Sequence, residues 1–538
     1  MASTYRILVT DAVDPEGVAV LTAVPGFRVD EVPTLGAADL LSRIADYDAI
    51  VGRSATRISA ELLRAATRLR VVGRAGVGVD NVDMDAATAL GVAVINAPAG
   101  NTVAVAELLF GSLIGLVRGI PAANLSLHEG RWERSRLMGR ELKGRSLGIV
   151  GLGRIGSEVA VRAHAFGMEV GAFDPYVTDD RFLALRVRRY ATLEALLDAA
   201  ELLTVHTPLT DETRGMIGAR ELGRLRSDAV VANLARGGIV DEGALVEALR
   251  AGRLAGATLD AFVAEPLTGD HPLRGVPNLL LTPHIGASTQ EAQRNVAVDV
   301  CEAVRDALLD NELSRSLNVA TGDGVAWREV QPVLQLVQRA AVVARAMLAE
   351  RGARAVTRLA LRSGAEWRGR GAVLLSAASV GALESVLEEG RLNLINARTL
   401  AAARGMQLSA IEGAAGLGPY EVEVALGTAT DEVPVAGSAP PGGTARLTRI
   451  GGFHVDVNPR QTLVILTNRD VPGVIGRVGT LLGNEGVNIA EYHQARLAQG
   501  GEALAAVSVD GVVTERTRQA LLAIPDVLTA AVVRFGAS

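Results

Sequence analysis

At 538 residues the chain is too long for one hydrophobic core, and its length predicts about three or four domains. Hydrophobic residues make up 49% with only 3% aromatic, the aliphatic balance of an α/β interior. A formal charge of −6 with no basic block argues against nucleic acid or an anionic membrane as partner, and the single cysteine, Cys301, excludes an internal disulfide and a cysteine-based zinc cluster, so no metal site is expected.

The opening residues, M-A-S-T-Y-R-I-L-V-T-D, run into a strand pattern with no basic or long apolar leader, so no signal peptide and a cytoplasmic location are expected. Short aliphatic strands at 7–10, 49–51, 71–72 and 93–95 alternate with helices such as 59–66, an α/β unit. These strands end in Asp11, in Arg53 and Ser54, and in Arg74. Ligands of open parallel sheets sit beyond the carboxyl ends of strands, so these residues are candidates for substrate contact. Two arginines placed alike on successive strand ends suggest anion binding, against the commoner fate of a solvated arginine. A helix over 101–118 follows, capped by Asn101 or Thr102; it contains Glu107 and is too short to span a bilayer.

At 146–156, S-L-G-I-V-G-L-G-R-I-G, a buried strand breaks into Gly151, Gly153 and Gly156 at dinucleotide spacing. Gly151 suits a tight turn, Gly153 close approach of backbone to a pyrophosphate, and Gly156 close packing of helix on strand. The helix that follows carries an apolar stripe of Ile155, Val159, Ala163 and Phe166, and its N-terminal amides face the phosphates. The next strand, 168–173, ends in Asp174, where a carboxylate takes the ribose hydroxyls and repels a 2′-phosphate. NAD is therefore expected rather than NADP, although Arg154 and Arg181 lie near enough in sequence to oppose that argument.

Strands at 202–205, 229–233, 257–260 and 279–282 continue the βα alternation, with helices at 241–250 and 295–309; Cys301 is expected to pack in the latter. Arg236, Glu265 and His284 stand at strand or loop ends and fit one reaction: removal of hydride from a secondary alcohol beside a carboxylate. His284 is the natural base, Glu265 its tautomer-fixing partner and Arg236 the bidentate grip on the carboxylate. His206, the rival histidine, sits beside Thr207 and Pro208 on the cofactor side. A polar linker is predicted over 318–325, then a segment to 458 with a helix over 330–350, strands at 356–361 and 421–426, and a Gly/Pro loop at 437–443. The last segment reads βαββαβ, a ferredoxin-like module, with strands at 462–466, 487–495, 503–509 and 528–534 and helices at 473–483 and 514–523.

V-G-L-G-R-I-G followed by F-D-P-Y, N-L-A-R-G-G-I-V-D, D-A-F-V-A-E-P and T-P-H-I-G-A-S-T resembles the D-isomer-specific 2-hydroxyacid dehydrogenases. V-G-R-S-A-T and G-R-A-G-V-G-V-D-N-V-D resemble the family's phosphoglycerate branch. The resemblance implies that Arg236, Glu265 and His284 are catalytic. It places NAD against Gly151, Gly153, Arg154, Ile155, Gly156, Asp174, Thr207, Leu234, Ala235, Arg236, Asp260, His284, Gly286 and Ala287. Arg53, Ser54 and Arg74 would face the phosphate of 3-phospho-D-glycerate, and Arg134, in W-E-R, resembles a loop that reaches a neighbouring subunit.

The implied fold is a Rossmann-like cofactor domain (98–283) inserted in a flavodoxin-like substrate domain (1–97 and 284–317), then an α+β intervening domain (318–458) and a ferredoxin-like ACT regulatory domain (459–538). The implied activity is oxidation of 3-phospho-D-glycerate by NAD, the entry to serine synthesis, in a homo-oligomer, by resemblance a tetramer. The ACT-like end implies L-serine as an inhibitor at a subunit interface, with Asp470 and Asn488 at the matching positions. Three residues depart from the pattern: Val77 replaces a frequent threonine, Asn468 an aromatic residue of some serine-responsive relatives, and Arg398 is unusual in the N-x-x-N-A motif N-L-I-N-A-R. Two alternatives remain: a hydroxypyruvate or glyoxylate reductase of the same family, and an NAD(H)-sensing corepressor-like binding protein.

Overall fold

The computed structural model describes residues 4–319, 327–353, 355–384 and 391–535. The predicted linker at 318–325 therefore falls largely outside the described residues. Those described form four sheets.

The first is parallel: β1 (Tyr5–Val9), β2 (Phe27–Glu31), β3 (Ala49–Gly52), β4 (Val71–Arg74) and β5 (Ala93–Asn96), ordered β2-β1-β3-β4-β5. This is the flavodoxin-like order. β3 and β5 are buried throughout, as expected for strands covered on both faces. β2 had no signal in the sequence, because Phe27–Glu31 lies at the sheet edge and carries charge.

The second sheet holds β6 (Ser146–Val150), β7 (Glu169–Phe173), β8 (Arg188–Arg189), β9 (Leu202–Val205), β10 (Val230–Asn233), β11 (Gly256–Leu259) and β12 (Leu279–Leu281). Its order, β12-β11-β10-β9-β6-β7-β8, reverses direction between β6 and β9. The crevice of a Rossmann sheet opens at that switch point, where the glycine loop emerges. The helix after the loop, Arg154–Ala165, buries Val159 and Ala163, but Phe166 falls past its end and is 41% exposed, stacking on Phe110 instead of filling the stripe.

After β12 the chain returns to the first sheet. Helix Gln290–Asp310 packs on β4 and on helix Pro15–Thr22, where a Cβ on Gly17 would lie 2.6 Å from Ala297. This helix begins earlier than the apolar period suggested, because Thr289 caps it by accepting the Ala292 amide at 3.1 Å. Cys301 is buried in it, and burial pushes the thiol up to about 12.

The third sheet corrects the sparse sequence reading of 327–458. Six strands, β13 (Arg358–Ser363), β14 (Gln407–Glu412), β15 (Glu421–Gly427), β16 (Glu432–Ser438), β17 (Arg446–Ile450) and β18 (Phe453–Val457), pack against helix Trp327–Glu350. Gly437, expected in a loop, lies inside β16; a Cβ there would meet the Arg446 carbonyl at 2.7 Å and Leu336 at 3.0 Å, so the glycine serves packing. The fourth sheet, β19 (Thr462–Arg469), β20 (Asn488–Arg496), β21 (Glu502–Asp510) and β22 (Val527–Arg534), is antiparallel in the order β20-β21-β19-β22 and carries helices Val474–Asn484 and Glu515–Leu522, the ferredoxin-like arrangement predicted. Among the described residues no single helix is long and apolar enough to cross a membrane; the bent pair Thr102–Val117 and Ile120–His128 passes only when its two helices are taken together.

Candidate active site

The three glycines of the fingerprint have separable physical reasons. Gly151 has φ +93°, and a Cβ on it would lie 2.7 Å from the His206 carbonyl oxygen; one on Gly156 would lie 2.1 Å from the Gly151 carbonyl oxygen. Above Gly153 nothing stands within 4 Å, so this is the face open to a ligand. Gly153 caps the following helix without a side-chain bond, leaving the amides near Arg154 and Ile155 to an anion. Asp174 stands at the end of β7; its Oδ2 accepts the Leu152 amide at 2.8 Å and its Oδ1 the Tyr176 amide at 2.9 Å. The carboxylate thus fixes the glycine loop and keeps lone pairs for a ribose. Arg181 is drawn away to Ser157 Oγ at 2.9 Å, which removes one sequence argument for NADP.

Across the switch point, Thr207 Oγ1 and His206 Nδ1 are buried without a hydrogen-bond partner among the described residues, as is Asn101 Oδ1 at the start of helix Thr102–Val117. Of these, the His206 and Thr207 atoms stand beside the open glycine loop and fit a polar cofactor such as NAD. His206 Nε2 meets Thr204 Oγ1 at 2.9 Å, and burial pushes the imidazole down to about 4, so it is neutral and unsuited to be the base. Leu234 and Ala235 are buried behind this edge, with the Ala235 amide on Asn233 Oδ1 at 3.1 Å.

His284 has φ +52°, an uncommon conformation for a non-glycine residue, and Asp260 is what holds it. Asp260 is 1% exposed; its Oδ1 accepts Thr282 Oγ1 at 2.6 Å and the Ile285 amide at 2.8 Å, and its Oδ2 the Gly286 amide at 2.7 Å. Asp260, expected at the cofactor, thus braces the loop 282–286. His284 Nδ1 lies 2.7 Å from Glu265 Oε2, and Glu265 Oε1 accepts the Phe262 amide at 2.9 Å. A Cβ on Gly237 would lie 1.9 Å from the Phe262 carbonyl carbon, so the turn after Arg236 presses directly on the Glu265 loop. Ala287 follows, its carbonyl accepting Gln293 Nε2 at 2.6 Å.

Arg236 reaches from the second sheet to the first. Its Nε is 3.3 Å from Asp80 Oδ2, a carboxylate that sequence reasoning passed over inside G-V-G-V-D-N. A Cβ on Gly78 would lie 2.1 Å from Arg236 Nη2 and one on Gly76 1.3 Å from Arg74 Nη1, so the glycines of G-R-A-G-V-G make room for two guanidinium groups. Arg74 is lowered to about 10, first by burial and then by repulsion from Arg236 and Arg53. Three cations share one neighbourhood. Asp11, 7% exposed, shapes the loop bearing Arg53 and the exposed Ser54 by accepting the amides of Arg53 at 2.8 Å and Thr56 at 2.9 Å. Asn81, also missed, ties that loop to the next by donating to the carbonyls of Arg53 and Thr56.

Other expected residues are not gathered here. Arg134 is exposed in the turn Arg134–Arg136 beside exposed Trp132 and Met138, and no hydrogen bond among the described residues ties it to the arginine cluster. Asp470 Oδ2 accepts Arg496 Nη1 at 3.0 Å, which holds the carboxyl below its usual range, while Asn488 donates to Asp510 at 2.8 Å. Arg496 and Asn488 are opposite ends of β20, roughly 26 Å apart at strand rise, so one chain does not bring Asp470 and Asn488 together. Among the described residues no group of three or more His, Cys, Asp or Glu could hold a metal.

Residues 110–286 match the model of the D-isomer specific 2-hydroxyacid dehydrogenase NAD binding domain. The chain is similar to the D-3-phosphoglycerate dehydrogenase of Synechocystis sp., 37% identical over 96% of this chain and 93% of that one. It is also similar to that of Bacillus subtilis, 37% identical over 98% of each. Among solved structures, a glyoxylate reductase from Paecilomyes thermophila is similar with TM-score 0.54 and 29% identity, over 59% of this chain and 99% of that one. The fold, the glycine crevice and these similarities agree, and the chain belongs to the D-isomer-specific 2-hydroxyacid dehydrogenase family, with NAD as its cofactor.

Proposed function

We propose that the chain oxidises 3-phospho-D-glycerate to 3-phosphohydroxypyruvate with NAD, the first step of L-serine biosynthesis. The observation that carries this reading is the gathering of Arg53 and Arg236 about Arg74, with Gly76 and Gly78 making room for two of the guanidinium groups, where a substrate with only a carboxylate needs one cation. The similarity to phosphoglycerate dehydrogenases over almost their whole length supports it.

Arg236 takes the substrate carboxylate in place of Asp80, and Arg53, Ser54 and Arg74 take the phosphate. His284 accepts the hydroxyl proton at Nε2, the ring nitrogen that Glu265 leaves free. Glu265 holds the ring in one tautomer and stabilises the imidazolium. When bound, NAD supplies the nicotinamide that accepts hydride from C2. Gly151, Gly153, Gly156, Asp174 and Thr207 hold it, with Leu234 and Ala235 behind.

The same reading makes the protein a cytoplasmic homo-oligomer, a tetramer by family resemblance, with Arg134 directed to a neighbouring subunit. L-serine inhibits it at a site shared by two copies, because Asp470 and Asn488 stand too far apart in one chain. A glyoxylate or hydroxypyruvate reductase is the second reading, favoured by the similarity to the glyoxylate reductase, but such a substrate leaves Arg53 and Arg74 without a phosphate. Steady-state NADH formation with 3-phosphoglycerate and NAD, with and without serine, tests the proposal. Turnover that serine suppresses supports both parts; absence of turnover beside activity on glyoxylate or hydroxypyruvate transfers the assignment to the reductase.

A further inference from the structure

The motif N-L-I-N-A-R has no part in the chemistry above, yet its side chains and those just before it reach the first sheet. Arg391 Nε donates to the Thr67 carbonyl at 3.1 Å and its Nη2 to the Ala66 carbonyl. Asn393 Nδ2 donates to the Gly91 carbonyl at 2.7 Å. Asn396, 2% exposed, braces both: its Oδ1 accepts the Asn393 amide at 3.0 Å and its Nδ2 donates to the Arg391 carbonyl at 2.8 Å. Gly91 has φ +68°, and a Cβ on it would lie 2.7 Å from the Arg391 carbonyl oxygen and 2.8 Å from Asn393 Nδ2. Glycine is what lets the two segments meet.

The gripped carbonyls lie at the C-terminal ends of two short helices. Ala66 and Thr67 follow Ala60–Ala65, and Gly91 follows Met84–Ala89. The Ala66 carbonyl also accepts the Leu69 amide at 3.2 Å, and Thr67 and Gly91 lie one residue past the caps, so a guanidinium and an amide donor complete the backbone pairing where each helix ends. The N-terminal ends of the same helices continue the loops that bear Arg53 and Ser54, and Gly76 to Asp80. Those loops are knitted together, the Ile58 amide on the Asn81 carbonyl at 2.8 Å and the Asp83 amide on the Ile58 carbonyl at 2.9 Å. A six-residue helix is a rigid rod of about 9 Å, so seating one end sets the other.

We propose that Arg391, Asn393 and Asn396 form a docking clamp through which the segment after residue 327 seats these two helices and fixes the loop that bears Arg53 and the loop, Gly76 to Asp80, that makes room for the Arg74 guanidinium, so that both arginines face the substrate's phosphate. They are positioning residues, remote from the reacting atoms. The identity of the substrate rests on the function proposed above; the clamp does not.

The test uses the full-length protein with Asn393→Asp, which keeps the shape but removes the donor and sets a carboxylate against the Gly91 carbonyl, together with Arg391→Ala and Arg391→Lys. The KM for 3-phosphoglycerate is expected to rise about 3- to 30-fold in Asn393→Asp and Arg391→Ala. kcat and the KM for NAD stay within about twofold. Arg391→Lys, which keeps a cation at the helix end, rises less than Arg391→Ala. Amide hydrogen exchange speeds up across 60–66 and 84–91. An unchanged KM overturns the proposal, even with faster exchange, because the contacts then only add stability; so does a fall in kcat that matches the rise in KM. If the wild-type protein fails to oxidise 3-phosphoglycerate, the proposed function falls, and the clamp is judged by exchange alone, unchanged exchange at 84–91 overturning it.

Discussion

At the scale of single residues, most of the candidate chemistry turns on how side chains are held. His284 keeps its positive φ because a nearly sealed carboxylate, Asp260, takes two amides of the same loop. His284→Ala should lower kcat by roughly 10² to 10⁴ with NAD affinity nearly intact, as read by single-turnover kinetics and cofactor titration. Near-normal turnover would remove it as the base. Loss of a charge-assisted contact predicts that Arg74→Ala raises the KM for 3-phosphoglycerate about ten- to a hundredfold and leaves kcat little changed. His206 makes a stability prediction of definite sign. Burial holds its folded value at about 4, below the ordinary 6.5, so between those limits the unfolded chain binds the extra proton. Stability therefore falls as pH drops from 6.5 to about 4, and His206→Asn should flatten that slope in urea midpoints measured against pH.

At the scale of elements, the glycine loop and its helix act as one unit. A methyl group on Gly156 would overlap the Gly151 carbonyl at 2.1 Å, where backbone cannot yield cheaply. Gly156→Ala should cost about 1–3 kcal/mol and weaken NAD binding together, seen as a lowered Tm and a raised Kd; an unchanged Tm would deny the close contact. Helix Gln290–Asp310 extends beyond its own apolar stripe. Its first turn, Q-E-A-Q-R, is polar, so the apolar stripe begins late, and the cap at Thr289 marks the true start. β2 and β8 lacked a signal because short, charged edge strands do not alternate strongly.

At the scale of the whole molecule, exposed apolar side chains gather on the arm after helix Thr102–Val117. Ile120, Leu125, Leu127, Trp132 and Met138 are all more than half exposed, Met138 at 90%. A patch of this kind suits contact with a second copy. Sedimentation velocity should find a homo-oligomer, and Trp132→Glu should shift it toward smaller species; an unchanged distribution would place the interface elsewhere. The proposed inhibition by serine is tested at the same scale. Asp470→Ala should abolish it while leaving basal turnover in place, and inhibition that persists would exclude Asp470 from the effector site.

The sequence by itself determined the buried strands of the two parallel sheets, the glycine fingerprint and the βαββαβ end, because buried parallel strands and glycine turns leave strong local patterns. It also singled out His284 and Glu265 at loop ends, although nothing local says that they touch. Only the tertiary structure decided that Asp260 serves the loop and that Asp80 faces Arg236. It alone brought Arg53 and Arg74 near Arg236, since those contacts join strands from different sheets. The segment from 327 to 458 was least legible: β14 is exposed along most of its length, and Gly437 sits in a strand for the sake of a neighbour's backbone. Pairing between residues far apart in the chain leaves no period to read; it is set by packing, and packing exists only once the chain has folded.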